Sequence, residues 1–469
     1  MVFLSLEFAI AFVFLLVILF WVKNIQLQQY ILLGFSYLFY AYIDGRFLLL
    51  LLLETIVVFF ACQLMNRCEK WKKLILTCSV SGVVLVLGIC KYLEFFVQSV
   101  SSLFGIENGY TLELLIPLGI SFFSFQAISI LVDTYRGDVR ENEDFVKVAL
   151  GIGIFTQITS GPIVTARKMF TQLQQPLLIS NSNLSLGFQL ILSGIVKKKI
   201  IADRLAIAVE AVYSKPEVYH GGTLLFTACV FMIQLYMDFA GYSDIAIGLA
   251  KMMGLEIGPN FDMPFLAKNT AEFWHRWHIS LSSWFKEYVY FPLGGSRKGL
   301  PQTCINLFLV MVLSGLWHGA SWNYVLWGIL FGVTNVAQKL FDAWKKKCNI
   351  KLHGAWQRTG NVISVVCCYF VTSLFFIFFR ADSFELSCIY LKRIFTWADG
   401  VSYYYFYGIV FALLIFVVEM WMYRKNNGHY VFVPLDLTEF RGKLIVCCII
   451  WLIVCFAFVG GDAFLYAQF

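Results

Sequence analysis

Long runs of apolar residues, separated by short polar connections, constrain this chain more than any other feature of its sequence. Of its 469 residues, 59% are hydrophobic and only 14% are charged, whereas soluble globular chains have about 25% charged residues. A helix of roughly 20 apolar residues spans the hydrocarbon layer of a bilayer, and many of these runs have about that length. The sequence therefore predicts an all-α polytopic membrane protein.

The apolar runs predict roughly ten to twelve spanning or buried helices. We expect them at about residues 2–22, 30–43, 47–65, 74–99, 112–132, 145–164, 184–212, 223–250, 303–340, 360–379, 403–423 and 443–460. The 30–43 run is short and could be re-entrant or packed inside protein. No long polar insert separates the runs, so we predict one integral membrane domain over residues 1–469.

Two of these runs contain helix-breaking residues. They are Pro117 and Gly119 in the run at 112–132, and Gly151, Gly153, Gly161 and Pro162 in the run at 145–164. Broken helices at membrane depth are tolerated only where they face protein or a water-filled cavity. The helical bundle is therefore expected to enclose a central chamber or tunnel.

The charge pattern indicates membrane topology. The net charge of +7 is interpreted as cytoplasmic loop charge, and no basic stripe of the nucleic-acid-binding type is present. The basic loop 251–302 is placed in the cytoplasm. Residues 2–21 lack the features of a cleaved signal peptide, so we predict a retained first helix with the N-terminus outside and Lys23 inside. The 13 cysteines mostly lie in apolar runs, as buried hydrophobic residues do.

An amphipathic pattern follows the 251–268 part of this loop, from Asn269 to Phe291. Apolar residues recur there at steps of three or four, namely Phe273, Trp277, Leu281, Trp284 and Tyr288, which predicts one helix. Tryptophan prefers the membrane interface, so we expect this helix at the cytoplasmic face, leading to the chamber mouth. The alternative is a surface helix that only anchors the bundle.

His318 is the candidate catalytic residue. It lies in the predicted helix 303–340, about 20 Å along the axis from Thr303, where an ionisable side chain usually has a function. Histidine has an unperturbed pKa of about 6.5, and apolar surroundings favour the neutral form that accepts a proton. Gly315 and Gly319 would let a substrate or a neighbouring helix come close. The alternative is a core histidine hydrogen-bonded to a backbone carbonyl.

Other polar residues each have two interpretations. Asp238 and Asp244 could orient a histidine or pair with Arg276, or could form a salt-bridged turn. His275 and His278 with His318 could form a metal triad, but no fourth ligand has the diagnostic spacing, so we predict no metal. A basic set could hold the phosphates of a coenzyme A donor or supply ordinary positive-inside charge. Its members are Lys268, Arg276, Lys286, Arg297 and Lys298.

Three spaced motifs resemble the signature of the membrane-bound O-acyltransferase (MBOAT) family. They are FWHRWH at 273–278, PLGG at 292–295 and GLWHGASW at 315–322. Further segments are similar to the alginate and polysaccharide O-acetyltransferase branch. These are LIPLGISF at 115–122, DTYRG at 133–137, SGPI at 160–163, DFAGYSD at 238–244, FFRA at 378–381 and FLYAQF at 464–469. The resemblance covers nearly the whole chain and implies a family core at about 112–340.

The resemblance implies that His318 is the catalytic base and that His278 assists it, by orienting the donor or lining a tunnel; from spacing alone, His278 could equally be a polar residue at the interface. The substrate- or donor-binding candidates are Asn269, Trp274, Arg276, Trp277, Ser282, Trp317, Asp238 and Asp244. No bound cofactor is expected, and acetyl-CoA is the expected donor.

The implied function is transfer of an acetyl group from a cytoplasmic thioester across the cell membrane to an extracellular polysaccharide. A partner outside, with an acetyltransferase- or esterase-like domain, is expected to take part. One alternative is a D-alanyl transferase of teichoic acids that uses a carrier-protein thioester, and the PLGG turn speaks against it. Another is a non-enzymatic transporter or flippase, in which the broken helices and the histidine would form a conduction path.

Overall fold

The computed structural model of the protein describes residues 2–105, 115–139, 144–349 and 354–458, and in these ranges it is built from helices. No named strand occurs in them, and an isolated bridge joins Tyr219 to Val401. The prediction of an all-α protein is therefore confirmed. The FLYAQF ending at 464–469 lies outside the described residues.

The chain divides into two compact units. Of the described residues, unit 1 comprises 2–105, 115–139, 144–194 and 242–258, and unit 2 comprises 195–241, 259–349 and 354–458. The single domain expected over 1–469 and the core at 112–340 stay predictions, as does the central chamber.

Unit 1 contains eight helices in its described residues, together with residues 242–252 of the helix Gly221–Met252. The eight are α1 (Leu6–Trp21), α2 (Ile25–Asp44), α3 (Leu48–Arg67), α4 (Lys72–Leu103), α5 (Ile120–Arg136), α6 (Phe145–Gly153), α7 (Ala166–Leu173) and α8 (Asn181–Ile195). An aromatic cluster formed by Phe8, Phe12, Phe39 and Phe155 packs their inner faces together.

Unit 2 contains the remaining helices of the described residues. They are α9 (Asp203–Tyr213), α10 (Gly221–Met252, through residue 241), α11 (Thr270–Arg276), α12 (Ile279–Phe285), α13 (Leu300–His318), α14 (Trp322–Lys347), α15 (Gly354–Arg380), α16 (Phe384–Phe395), α17 (Phe406–Lys425) and α18 (Phe440–Phe456). Two π-helical segments, Val196–Ala202 and Lys286–Tyr290, precede α9 and follow α12.

Six segments of the described chain are long and apolar enough to cross a membrane. They are Ile25–Arg67, Glu69–Leu103, Gly221–Met252, Leu300–His318, Gln357–Arg380 and Phe406–Lys425. The first combines α2 and α3, which the short turn Gly45–Phe47 joins. Leu6–Trp21 is also apolar but shorter. These segments agree with a polytopic membrane protein.

Three predicted helices differ from the observed ones. The 30–43 run belongs to the 20-residue α2, so the helix is longer than predicted. The run at 145–164 forms a helix only as far as Gly153, and residues 154–164 follow as buried turns. The single helix expected at 303–340 is wrong, because α13 ends at His318 and α14 begins at Trp322.

The break predicted around Pro117 and Gly119 is confirmed, since α5 begins only at Ile120. Gly119 has φ +79°, and a Cβ atom there would lie 2.1 Å from the carbonyl oxygen of Ile158. Only glycine combines that backbone conformation with so close an approach. This part of the break faces protein, as the membrane environment requires.

A close pairing of α13 and α14 fixes the end of α13. A Cβ atom on Gly315 would lie 2.3 Å from the carbonyl oxygen of Tyr324 and 3.1 Å from the Cα atom of Gly328. These glycines therefore let two helix backbones touch, as small residues do in membrane proteins. Of the two roles expected for Gly315, approach of a neighbouring helix is the observed one.

Candidate active site

The segment 269–291 forms two short helices and a π-helical turn, so the single amphipathic interface helix was a wrong prediction. The Asn269 side chain caps α11 by accepting a hydrogen bond of 2.8 Å from the backbone N–H of Glu272. The chain then turns at His278, which has φ 45° and ψ 53°. This left-handed conformation is uncommon for a non-glycine residue, and it starts α12 in a new direction.

The tryptophans of this segment are buried in protein. Trp274, Trp277 and Trp284 are all buried. Trp277 stacks on Phe273 with ring centroids 5.3 Å apart and meets Phe261 edge-on at 5.1 Å. The spacing along the chain does not reveal this packing, and the predicted position of the segment at the cytoplasmic face stays a prediction.

His278 is held by Asn260. Its Nδ1 atom lies 3.1 Å from Asn260 Oδ1, which also accepts hydrogen bonds from the backbone N–H of Ser280 at 3.3 Å and the Ser280 hydroxyl at 2.9 Å. A backbone N–H can only donate, so the shared Asn260 atom is an acceptor. Nδ1 of neutral His278 therefore carries the proton, and Nε2 carries the lone pair.

His278 is 0% exposed, and aromatic rings surround it. Phe239 of α10 meets its ring edge-on with centroids 4.7 Å apart, and Trp317 lies 6.1 Å away. Burial lowers the pKa of His278 to about 3, because removing water disfavours the charged imidazolium. At neutral pH this side chain is therefore neutral and can accept a proton or a hydrogen bond at Nε2.

His318 is the last residue of α13 and is 3% exposed. Its ring contacts Trp317 at 4.9 Å, Trp327 of α14 at 5.0 Å and Phe379 of α15 at 5.1 Å between centroids. The prediction of a buried histidine is confirmed. Its expected place in the middle of a long helix is wrong, because the backbone leaves the helix at Gly319 to enter α14.

Trp317 links the two histidines, since its ring contacts both of them. It is itself buried. The structure thus brings His278, Trp317 and His318 together from two separate parts of the motif region, as expected for residues that act on one substrate.

A cavity of about 480 Å³ lies in unit 2, and His278, Trp317 and His318 are not among the residues that line it. It is lined by Ala271, Trp274, His275, Ile279, Leu281, Ser282, Ser283, Phe285, Lys286, Tyr290, Ser296, Leu307, Val310, Met311, Ser314, Asn335, Gln338, Lys339 and Asp342. The lining residues on α13 are Leu307, Val310, Met311 and Ser314. They lie on one face of the helix, because residues three or four apart share a face. His318 is the next residue on that face.

Two indole rings stand between the cavity and His318. Trp274 lines the cavity and meets Trp327 with centroids 5.4 Å apart, and Trp327 in turn contacts His318. The side chains of α11 and α14 therefore form the inner end of the cavity.

The predicted basic set is divided by the structure. Lys286 lines the cavity, together with Lys339, which the sequence interpretation did not include. Arg276 instead pairs with Glu272 at 3.1 Å and Asp262 at 3.8 Å, and it donates to the Asp262 carbonyl oxygen. Its role is to fix the turn before α11, so it is a poorer candidate for a donor phosphate than Lys286.

The two predicted aspartates lie in different units. Asp238 forms a buried ion pair with Lys198, which also pairs with Asp203 at 2.9 Å. Asp244, in unit 1, accepts a hydrogen bond of 3.0 Å from Ser193. The structure therefore does not show the predicted pairing of these aspartates with Arg276. Asp238 instead belongs to a structural ion pair.

The remaining candidates are placed as follows. Ser282 lines the cavity, and its hydroxyl donates to the Trp277 carbonyl oxygen at 3.5 Å. Trp277 packs in the core beneath His278, and Asn269 acts as a helix cap. Among the described residues, no three His, Cys, Asp or Glu side chains are grouped as a metal ion would need.

Sequence reasoning missed several residues of this site. Asn260 orients His278, Trp327 and Phe379 enclose His318, and Asn335 lines the cavity. Only Asn335 carried a usable signal, as a polar residue in an apolar run at 322–341. The others act through contacts between distant segments, which spacing within one helix does not show.

Comparison with known proteins gives one family. Residues 152–380 match the profile of the membrane-bound O-acyltransferase family, MBOAT. A "Probable alginate O-acetylase" of Pseudomonas putida is 35% identical over 343 residues, covering 71% of this chain and 70% of that protein. A peptidoglycan O-acetyltransferase of Helicobacter pylori is 31% identical over 397 residues, covering 78% and 73%. A teichoic acid D-alanyltransferase of Bacillus subtilis is 31% identical over 274 residues, covering 56% and 68%.

Proposed function

The chain belongs to the membrane-bound O-acyltransferase family, and from this premise we propose that it moves an acetyl group from a thioester donor to a hydroxyl group of a cell-surface polysaccharide. It is a multi-pass membrane protein and an O-acyltransferase. Family membership overturns the alternative of a non-enzymatic transporter or flippase. Similar proteins named for the O-acetylation of alginate and of peptidoglycan support acetyl as the group and polysaccharide as the acceptor.

The observation that carries the proposal is the alignment of the cavity with His318 along one face of α13. In the proposed complex, a thioester in the cavity places its reactive end near Ser314, one helical turn before His318. The Trp274 and Trp327 rings, which stand between the cavity and His318, then shift to let the thioester reach the imidazole. Acyl transfer needs a base for the hydroxyl proton. His318 takes that proton, the hydroxyl oxygen bonds to the thioester carbonyl carbon, and the carbon–sulfur bond breaks. The departing thiolate receives the proton from the imidazolium.

His278 assists from the other side of Trp317. Its neutral ring presents the Nε2 lone pair, since Asn260 holds the proton on Nδ1. An acceptor fixed in this way can orient a hydroxyl or an amide N–H of a substrate without itself changing charge. His278 is therefore proposed as an orienting residue and His318 as the base.

The donor is proposed to be acetyl-CoA, entering from the cytoplasm across a plasma membrane, with the N-terminus of the chain outside. Lys286 and Lys339 line the cavity, and Lys345–Lys347 end α14 beyond it. Basic residues collect on the cytoplasmic side of membrane proteins, so this end of the cavity is assigned to the cytoplasm. The acetyl group then reaches a polysaccharide outside, directly or through an esterase-like partner.

A second candidate is D-alanyl transfer from a carrier-protein thioester to teichoic acid, which the similarity to the Bacillus subtilis enzyme favours. The PLGG turn favours the polysaccharide O-acetyltransferase branch instead, because the D-alanylation branch usually lacks this turn. Gly294 and Gly295 of this turn have positive φ, and Asn306 donates to the Gly295 carbonyl oxygen at 3.0 Å. The turn therefore has a defined, hydrogen-bonded conformation, and it directly precedes Ser296, which lines the cavity.

The test supplies membranes containing the protein with acetyl-CoA or with a D-alanyl-loaded carrier protein, and measures thiol release. Release from acetyl-CoA that is lost in His318→Ala supports the proposal. His220→Ala is the matched control, because His220 directly precedes α10, meets Trp397 edge-on and does not line the cavity. Full activity of a well-folded His318→Ala protein would remove the proposed base, and release from the carrier alone would favour D-alanyl transfer.

A further inference from the structure

The inner end of the cavity contains two buried polar atoms that lack a partner within the described part of the chain. They are the indole Nε1 of Trp274 and the side-chain oxygen of Asn335. Their residues are only 8% and 6% exposed, and both line the cavity. A buried donor and a buried acceptor without partners are each costly in a folded protein. Such a pair therefore indicates a ligand that supplies the missing partners.

Trp274, from α11, packs on the face of α14 that also contains Asn335. Trp274 packs against Trp327 at 5.4 Å and Phe331 at 5.1 Å between ring centroids. Asn335 lies one turn beyond Phe331, and residues spaced by four share a helix face. Trp274 therefore forms the inner end of the cavity. Asn335 lies one turn of α14 further from that end. Rotation about the terminal torsion of Asn335, which is broad, turns its amide towards a ligand.

We propose that this pair binds a secondary amide in the arm of the thioester donor, an inference that rests on the proposed function. A secondary amide offers one carbonyl oxygen, which the Trp274 N–H can meet, and one N–H, which the Asn335 oxygen can accept. The pantetheine arm carries such amides close to its sulfur. A fatty chain has neither group, and a secondary amide presents its donor and its acceptor on two different atoms.

The outer part of the cavity fits the rest of such a donor. Gln338, Lys339 and Asp342 follow Asn335 along α14, over about 10 Å of helix. Lys286 faces the same space from the π-helical segment. Two lysines, a glutamine and an aspartate therefore lie outside the amide pair, and the two lysines can bind the phosphate end of the arm. Free coenzyme A and a carrier-bound phosphopantetheine share this chemistry.

The experiment measures binding and thiol release with the protein in lipid nanodiscs. Asn335→Leu removes the acceptor and keeps the side-chain volume, and Trp274→Phe removes the N–H and keeps a ring. Thr334→Val is the matched control, since the Thr334 hydroxyl bonds to its own helix at Leu330 and does not line the cavity. The probes are S-acetyl-N-acetylcysteamine, which has the amide nearest the sulfur, and S-ethyl thioacetate, which has none.

The wild-type protein and Thr334→Val should prefer the amide-bearing thioester, and Asn335→Leu and Trp274→Phe should each lose about tenfold of that preference. Equal preference in all four proteins would overturn the amide site. Thiol release missing from the wild type, with preferential binding of the amide probe intact, would instead overturn the proposed reaction and leave the amide site standing. Acetyl-CoA and an acetylated carrier protein, tested in parallel, distinguish the two sources of the arm.

Discussion

The two buried histidines are held in different ways. His278 occupies a turn, with a left-handed backbone and hydrogen bonds that meet at a single asparagine oxygen. His318 ends a helix, and three aromatic rings enclose it. His278 is thus oriented by an asparagine from a distant part of the chain, and His318 is enclosed by aromatic rings. The proposed reaction needs a hydrogen-bond acceptor that orients the substrate and a base that gains and loses a proton. The surroundings of His278 suit the first role, and those of His318 suit the second.

The difference also predicts how each histidine responds to change. A ring fixed by one hydrogen bond is sensitive to loss of that acceptor, because rotation about the side chain then becomes free. A ring fixed by packing on several sides tolerates the loss of any single neighbour. Substitution of each histidine, and of the residues that hold it in place, therefore tests this difference.

The largest effect is expected for His318→Ala. Loss of a general base lowers the rate by about 10²- to 10⁴-fold, whereas His278→Ala, which removes an orienting group, should cost about 10- to 100-fold. The rate of thiol release from acetyl-CoA is the measurement, with protein amounts equalised by size-exclusion chromatography. Equal losses in the two variants would contradict the division of roles.

The next largest effect is expected for Asn260→Leu. It deprives the His278 Nδ1–H of its acceptor inside the protein, at a cost of roughly 1–3 kcal/mol, and thiol release should fall about 5- to 100-fold. Asn181→Leu, at an exposed asparagine of α8, is the control. Unchanged kinetics with Asn260→Leu would show that Asn260 does not orient the ring.

A pH dependence is expected for Asn260→Asp. In the natural protein burial lowers the pKa of His278 to about 3, so this ring stays neutral between about pH 5 and pH 9 and contributes no titration there. A carboxylate beside it favours the charged form and raises that pKa by about 1–3 units. The activity of the variant relative to the natural protein should then fall, by up to about tenfold, as pH decreases from about 7 to about 5.

Rate measurements on both proteins across this pH range check the expectation. A flat ratio of the two activities would contradict the proximity of the introduced carboxylate to the imidazole. A fall in the ratio on raising the pH would contradict the sign of the shift.

The smallest effect is expected for Ser282→Ala. Its hydrogen bond to the Trp277 carbonyl oxygen is 3.5 Å long, at the limit of such contacts, so activity should stay within about twofold. Steady-state kinetics with acetyl-CoA measure it. A rise in KM of about tenfold would instead indicate that Ser282 contacts the donor and belongs to the orienting side of the comparison.

Much of the fold follows from the apolar runs, because burial in a bilayer leaves a helix few alternatives. The expected helices around α3, α10 and α17 are found with similar limits. The burial of His318 was also predictable, since it lies inside an apolar run, and its catalytic role, inferred from the cost of a histidine in such a run, stays a prediction. These inferences depend only on local composition.

The turn at His278 was not predictable in the same way. The spacing of Phe273, Trp277 and Leu281 continues through it as if one helix were present. The break depends on Asn260, which lies far back along the chain, and on rings from other helices. The end of α13 was missed for a related reason, since apolar residues continue past Gly319, and only Ser321, which caps α14 by accepting from Asn323 N–H, marks the restart.

The length of α13 sets the depth at which its last side chain lies. Nineteen residues, from Leu300 to His318, rise about 27 Å along the helix axis, close to the roughly 30 Å of a bilayer's hydrocarbon layer. If such a helix crosses the bilayer along its normal and begins at one boundary of the hydrocarbon layer, the imidazole on its final residue lies close to the opposite boundary. In the proposed reaction, a hydrophilic sugar chain outside would therefore not need to enter the hydrocarbon interior to reach this imidazole.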